Sequence, residues 1–172
     1  MSRFLLYAVG LLILAADQFT KFAAVRLLPV GESQPLLGAY LSLTVQRNTG
    51  AAFGMFPAAT TALIALAAII ITFIAVWGPQ LAQSTRLLTV GLGMALGGAA
   101  GNLIDRLRLG YVLDFLDLHF WPVCNVADIG ITCGAILVVI ALFLRARTNQ
   151  RDNPTSTQPT PPVHSSSRVK DS

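Results

Sequence analysis

Charge is scarce in this chain. Only 12% of its 172 residues are Asp, Glu, Lys or Arg, where a soluble domain carries about 25%. Histidine and cysteine are scarcer still, with two of each. His119 and His164 stand alone and no HExxH run occurs. Cys124 and Cys133 do not have the spacing of a metal set or a disulfide framework. On one helix they would lie about 13.5 Å apart along the axis, too far to bridge, and Cys133 reads as a small packing residue. No metal and no cofactor is expected. The net charge of +4 is not gathered into a basic stripe interleaved with aromatics, so no nucleic-acid partner is expected. Several arginines instead stand at the ends of apolar segments, where they anchor and orient helices.

What the chain has is apolar sequence, 54% of it, gathered into four segments at roughly residues 4–19, 58–77, 87–103 and 126–144. Each is near the roughly 20 residues that cross about 30 Å of hydrocarbon as helix. The first is short unless it continues through residues 22–28. Arg3 followed by an apolar run has the look of a cleavable signal. No clear processing site follows and Asp17 falls where the run should end, so it reads as a retained first helix. Gly78-Pro79 ends the second segment. In the third, Gly93, Gly97 and Gly101 repeat every four residues on one face, a spacing that lets helices approach closely in lipid. Arg145 and Arg147 close the fourth. Residues 148–172 turn to Ser, Thr, Pro and Gln and read as a disordered cytoplasmic tail, leaving 1–147 as one four-helix membrane domain.

Between the first two spans, residues 27–38 hold Pro29, Gly31, Pro35 and Gly38 and read as loop. Residues 40–45 alternate with period two, as a half-buried strand does, and suit a small sheet outside the hydrocarbon. Asn48-Thr49-Gly50 reads as a turn, and 51–57 as a segment that re-enters or lines the bundle. The fold class is an all-α polytopic membrane protein with four transmembrane helices and a small β element in the first long loop. Arg3, Arg86, Arg145 and Arg147 mark the cytoplasmic side and place both termini there, although Lys21, Arg26, Arg47, Arg106 and Arg108 fall opposite.

The few acids are suggestively placed. Asp17 stands at the outer end of helix one, Asp105, Asp114 and Asp117 just after helix three, and Asp128 in the first turn of helix four. Ionisable groups in membrane segments are costly and normally serve a function or pair; a plain cap or anchor at a helix end is the bland alternative for each. Asn102 and Asp105 are three apart and share a face, and Asn125 and Asp128 repeat the spacing. Asp105 can pair with Arg106 or Lys21. A helix N-terminus favours Asp128 as a carboxylate. Two facing carboxylates that share one proton can hydrolyse an amide, one taking a proton from water and the other polarising the carbonyl. Ser42 has no lysine or histidine near it in sequence, so a serine mechanism is not supported, and Cys124 lacks a partnered base. A small transporter using these acids for protons or ions is the rival reading.

Five stretches complete the pattern: Asp17-Gln18-Phe19-Thr20-Lys21; Arg47-Asn48-Thr49-Gly50-Ala51-Ala52-Phe53-Gly54; Gly97 through Asn102-Leu103-Ile104-Asp105-Arg106; Gly110-Tyr111-Val112-Leu113-Asp114-Phe115; and Asn125-Val126-Ala127-Asp128. In order and spacing, over about residues 5–145, they resemble the conserved blocks of the lipoprotein signal peptidases, also called signal peptidase II. Cys124 stands where that family commonly has Phe, and Leu113 where Val is frequent. The resemblance implies a multi-pass protein of the bacterial inner membrane with both termini cytoplasmic. It implies an extracytoplasmic cradle of short strands and a small helix formed by the first long loop. It implies an aspartic endopeptidase acting near the extracytoplasmic face, in contact with membrane lipid; because one bundle contains the full proposed set, a monomer is expected. The substrate would be a diacylglyceryl-modified prolipoprotein, cut on the N-terminal side of its lipidated cysteine. The catalytic pair carries over to Asp114 and Asp128. Asn48, Asn102, Arg106 and Asn125 would bind substrate or orient the pair, Asp17, Lys21 and Gly54 would support it, and Asp105 would be a supporting acid beside Arg106.

Overall fold

All four apolar runs become helix, and each helix outruns its apolar segment. The computed structural model describes residues 2–50 and 57–152, with helices α1 (Ser2–Leu27), α2 (Pro57–Leu81), α3 (Arg86–Leu109) and α4 (Val126–Asp152). All four are long and apolar enough to cross a membrane. Asp17 is therefore not at the end of α1. The helix continues to Leu27 because Asp17 and Lys21 are buried against its neighbours, not spent on capping. Gly78-Pro79 does not end α2 either, which runs on to Leu81 with Pro79 inside it. A proline there cannot donate to the carbonyl four residues back. That carbonyl, on Ala75, instead accepts the Tyr7 hydroxyl at 2.9 Å. Likewise α4 passes Arg145 and Arg147 and reaches Asp152. Residues 153–172 lie outside the described residues, as do Gly54 and the rest of 51–56.

Helix α3 is the spine of the bundle, packed on α1, α2 and α4. Its two small-residue faces explain how. A Cβ on Gly93 would come within 2.6 Å of the Leu6 carbonyl, and one on Gly97 would strike the Gly10 backbone, so this face seats α1. Gly91, against the Gly134 carbonyl, and Gly98, against that of Ala127, seat α4. Cys133 is exposed on the flank of α4 and is not a packing residue.

Strands β1 (Ser33–Leu37), β2 (Leu41–Asn48) and β3 (Val112–Asp117) form an antiparallel sheet in the order β1-β2-β3. The stretch 27–38, read as loop, contains β1. Pro35 is tolerated because β1 is an edge strand with an irregular register beside it. The third strand comes from the connection between α3 and α4, so the sheet is not the work of the first loop alone. Leu43 and Val45 of β2 point inward as the alternation required, and pack with Leu113 and Phe115 of β3 onto Ala24 of α1 and Leu28 just beyond it. The extra turns of α1 thus carry the sheet. The small helix expected in the first loop has no counterpart among the described residues.

Candidate active site

Two turns of local chemistry deliver the key acids. Gly110 caps α3 in the left-handed region at φ 81°, a conformation glycine takes without penalty, and this turns the chain straight into β3 and Asp114. At the start of α4, Asn125 and Asp128 cap each other. The Asp128 amide donates to Asn125 Oδ1 at 2.9 Å and the Asn125 amide to Asp128 Oδ2 at 3.2 Å. This is the reciprocal logic of a capping box, so the bland reading of Asp128 as a cap is true and does not exclude a second role.

Asp114 is fully buried. Its Oδ1 accepts from Asn125 Nδ2 at 2.7 Å and its Oδ2 from Asn48 Nδ2 at 2.9 Å. Asn48 is held at the end of β2, opposite Val112, and its own Oδ1 accepts the Gly50 amide at 2.8 Å, with Gly50 at φ 73°. The remaining Asp128 oxygen accepts Asn102 Nδ2 at 2.7 Å. Asn125 therefore touches both acids, through Nδ2 to Asp114 and through its backbone to Asp128.

Behind the acids lies a buried charged cluster. Lys21 Nζ is 2.9 Å from Asp17 Oδ2 and 2.8 Å from Asp105 Oδ2, and it donates to Asn102 Oδ1 at 3.1 Å. An ammonium can only donate, so it compels Asn102 to present its oxygen inward and its NH2 to Asp128. Asp17 Oδ1 accepts the Ala127 amide at 2.9 Å, tying α1 to the first turn of α4. Asp105 Oδ2 accepts the Leu113 amide at 3.1 Å, tying α3 to β3. Asp105 thus lies within α3, not after it, and pairs with Lys21, not with Arg106. Gln18, unremarked as a site residue in the sequence, bridges Asp17 and Asp105 at 3.2 and 3.1 Å. Only its place in the Asp17–Lys21 block pointed to it. Arg106 lies in the field of Asp128, Asp114 and Asp105, with its Nε buried and unpaired among the described residues.

Burial pushes the Asp114 carboxyl up to about 6, against the downward pull of Asn48; Asp128 adds to the rise, while Asn125 and Lys21 oppose it. The Cys124 thiol is pushed up as well, by burial and then by Asp128 and Asp114, the opposite of what a thiolate nucleophile needs. Ser42 does have a histidine partner, 77 residues away: His119 Nε2 is 3.1 Å from its Oγ, and Asp117 Oδ1 is 3.7 Å from His119 Nδ1. Buried beneath the imidazole, Ser42 ties β2 to the turn after β3. What the Asp114–Asp128 arrangement offers is a pair of acids with unlike surroundings, one sealed in the sheet and one on a helix N-terminus. Such a difference separates an acid from a base.

The model of the family described as signal peptidase (SPase) II matches residues 9–144, which takes in every one of these groups. The lipoprotein signal peptidase of Moorella thermoacetica is 42% identical over 144 residues, covering 84% of this chain and 96% of its own. That of Mycobacterium avium is 44% identical over 143 residues, covering 79% and 77%. A solved bacterial membrane enzyme, determined by the in meso method at 1.9 Å, superposes with a TM-score of 0.73 at 31% identity over 78% of this chain and 90% of its own. With four spans, the sheet and the clustered acids in the same matched stretch, the chain belongs to the signal peptidase II family.

Proposed function

We propose that Asp114 and Asp128 are the catalytic pair of this prolipoprotein-cleaving aspartic peptidase of the inner membrane, and that Asp114 holds the proton they share. The observation that carries the reading is Asn125, whose side-chain NH2 donates to Asp114 while its side-chain oxygen accepts the Asp128 amide and its own backbone amide donates to the Asp128 carboxylate. The substrate is a diacylglyceryl-modified prolipoprotein. Its lipid stays in the bilayer and sets the scissile bond, N-terminal to the lipidated cysteine, at the height of the pair. Asp128 accepts a proton from water as the water oxygen attacks the carbonyl carbon. Asp114 lends its proton to the carbonyl oxygen. The tetrahedral centre then collapses: Asp114 takes back a proton from one of the centre's hydroxyls as the C=O bond re-forms, the C–N bond breaks, and the proton on Asp128 passes to the leaving cysteine amine. The products are the signal peptide with a free carboxylate and a lipoprotein with a free amino terminus. Asn48, Asn102 and Asn125 hold the pair, Asp17, Lys21 and Asp105 hold Asn102 and the surrounding backbone, and Arg106 faces the substrate.

Both termini lie in the cytoplasm and the pair at the extracytoplasmic face, in keeping with the arginines at the opposite helix ends. One bundle supplies every proposed group, so the active form is a monomer, and no nucleic acid takes part. The test is cleavage of a diacylglyceryl-modified prolipoprotein by purified protein in lipid, with chelator present, followed as signal-peptide release on a gel. Folded Asp114→Asn and Asp128→Asn variants should each lose release by at least a hundredfold, on the scale of general acid–base catalysis. Release that persists in either variant shifts the assignment to Asp105.

A further inference from the structure

Among the described residues, five large apolar side chains outside the spans are more than half exposed: Leu36, Leu37 and Tyr40 of the β1–β2 hairpin, and Phe120 and Trp121 after β3. Tyr40 is 77% exposed, Phe120 79% and Trp121 62%. The strand register puts all five at one end of the sheet. Ser42 pairs with Pro35 on one side and with Asp117 on the other. Beyond that rung, the chain on one edge is the hairpin tip, and on the other it is the turn at 118–121. The opposite end of the sheet, where Asn48 pairs with Val112, joins α3 and the acids.

The turn that displays the aromatics is held firmly. His119 sits at φ 62°, in the left-handed region that few non-glycine residues adopt. Its amide donates to Asp117 Oδ1 at 2.9 Å, its ring contacts Ser42 Oγ at 3.1 Å, and the Phe120 amide donates to the Leu118 carbonyl at 2.8 Å. Cys124 then closes the return with bonds to Leu116 at 2.8 and 2.9 Å. A tightly bonded turn that spends its constraint on pushing a Phe and a Trp outward is built to seat them in something. Contiguous apolar surface of this kind marks an interaction face, and tryptophan and tyrosine favour the boundary between hydrocarbon and water. That boundary is at hand: Trp121 leads within five residues to Val126, where the membrane span of α4 starts, and Ile129 in its first turn is already exposed.

We propose that the sheet lies over, and does not stand off from, the bilayer, with Leu36, Leu37, Tyr40, Phe120 and Trp121 inserted in the interfacial region of the outer leaflet. The occupant of this face is lipid. The turn between β3 and α4 thereby anchors the segment that carries both Asp114 and Asp128 at a set depth. The inference concerns where the sheet sits and does not depend on cleavage.

The chain holds two tryptophans, and the second, Trp77, stacks on Phe73 near the other end of α2. In a Trp77→Phe protein reconstituted in phosphatidylcholine–phosphatidylglycerol vesicles without substrate, Trp121 reports alone. The same signal is obtained as wild type minus Trp121→Phe, should the first variant fold poorly. The expected result is blue-shifted emission, protection from aqueous iodide, and quenching that is strong with lipids brominated just below the headgroup and weak with lipids brominated at the chain ends. Emission typical of indole in water, with iodide quenching and no response to brominated lipid, would overturn the proposal. So would emission that depends on the protein-to-lipid ratio, which would assign the face to a second copy of the chain.

Discussion

Lys21 balances two buried carboxylates, Asp17 and Asp105, and at the same time sets the orientation of Asn102. Removing it strands two negative charges in a buried site, whereas neutralising one acid leaves an intact pair. Lys21→Met should therefore destabilise the protein by about 3–5 kcal/mol, and Asp105→Asn by clearly less, a ranking that thermal unfolding in detergent would check. Asp114 adds a pH dependence. Its carboxyl is raised from an ordinary 3.8 to about 6, so the native state keeps a proton that the unfolded chain releases. Its contribution to stability is then fully present below 3.8, falls as pH rises toward about 6, and is level above. The loss is on the order of 3 kcal/mol at about 1.4 kcal/mol per unit. The melting temperature of Asp114→Asn relative to wild type should rise through that window and then stay flat; a difference independent of pH would contradict the raised value.

At the scale of elements, the glycines of α3 decide where α1 sits, and α1 carries Asp17 and Lys21. A methyl group on Gly97 meets the Gly10 backbone, which has no rotamer with which to move aside. Gly97→Ala should cost about 1–3 kcal/mol by overpacking and cut activity further by drawing Lys21 off Asn102. Gly110→Ala meets no neighbouring atom and bears only on backbone conformation. Melting and cleavage assays on both variants separate the two effects. The helices and the glycine face were legible in the sequence because composition and a four-residue repeat report directly on lipid and close packing. The length of α1 was legible only as an alternative, its continuation through residues 22–28. Asp17-Gln18 and Lys21 look like the polar end of a span, and only a partner on α3 makes them interior. Strand β3 was hidden for the converse reason. Val112 through Phe115 are buried in a row, so no alternation betrays them. The proposed pair stood out through its blocks, but the Ser42–His119 tie, 77 residues apart, had no local signal at all.

Taken whole, the described residues form a bundle whose polar interior draws on most of its elements. Helices α1, α3 and α4 and strands β2 and β3 all contribute to a single connected set of hydrogen bonds, while α2 leans on α3 from outside it. The longest of those links joins Asp17 to the Ala127 amide, 110 residues away. This has a bearing on the order in which a ribosome delivers the chain. When the third span has entered the bilayer, Lys21, Asp17, Asp105 and Asn102 are already present, but Asn102 has neither Asp128 nor Asn125 to bond and Asp17 has no amide to receive. The network closes only with the arrival of the last helix. A half-made protein is therefore a membrane protein without a finished interior, and its assembly and its competence for chemistry are completed in the same event.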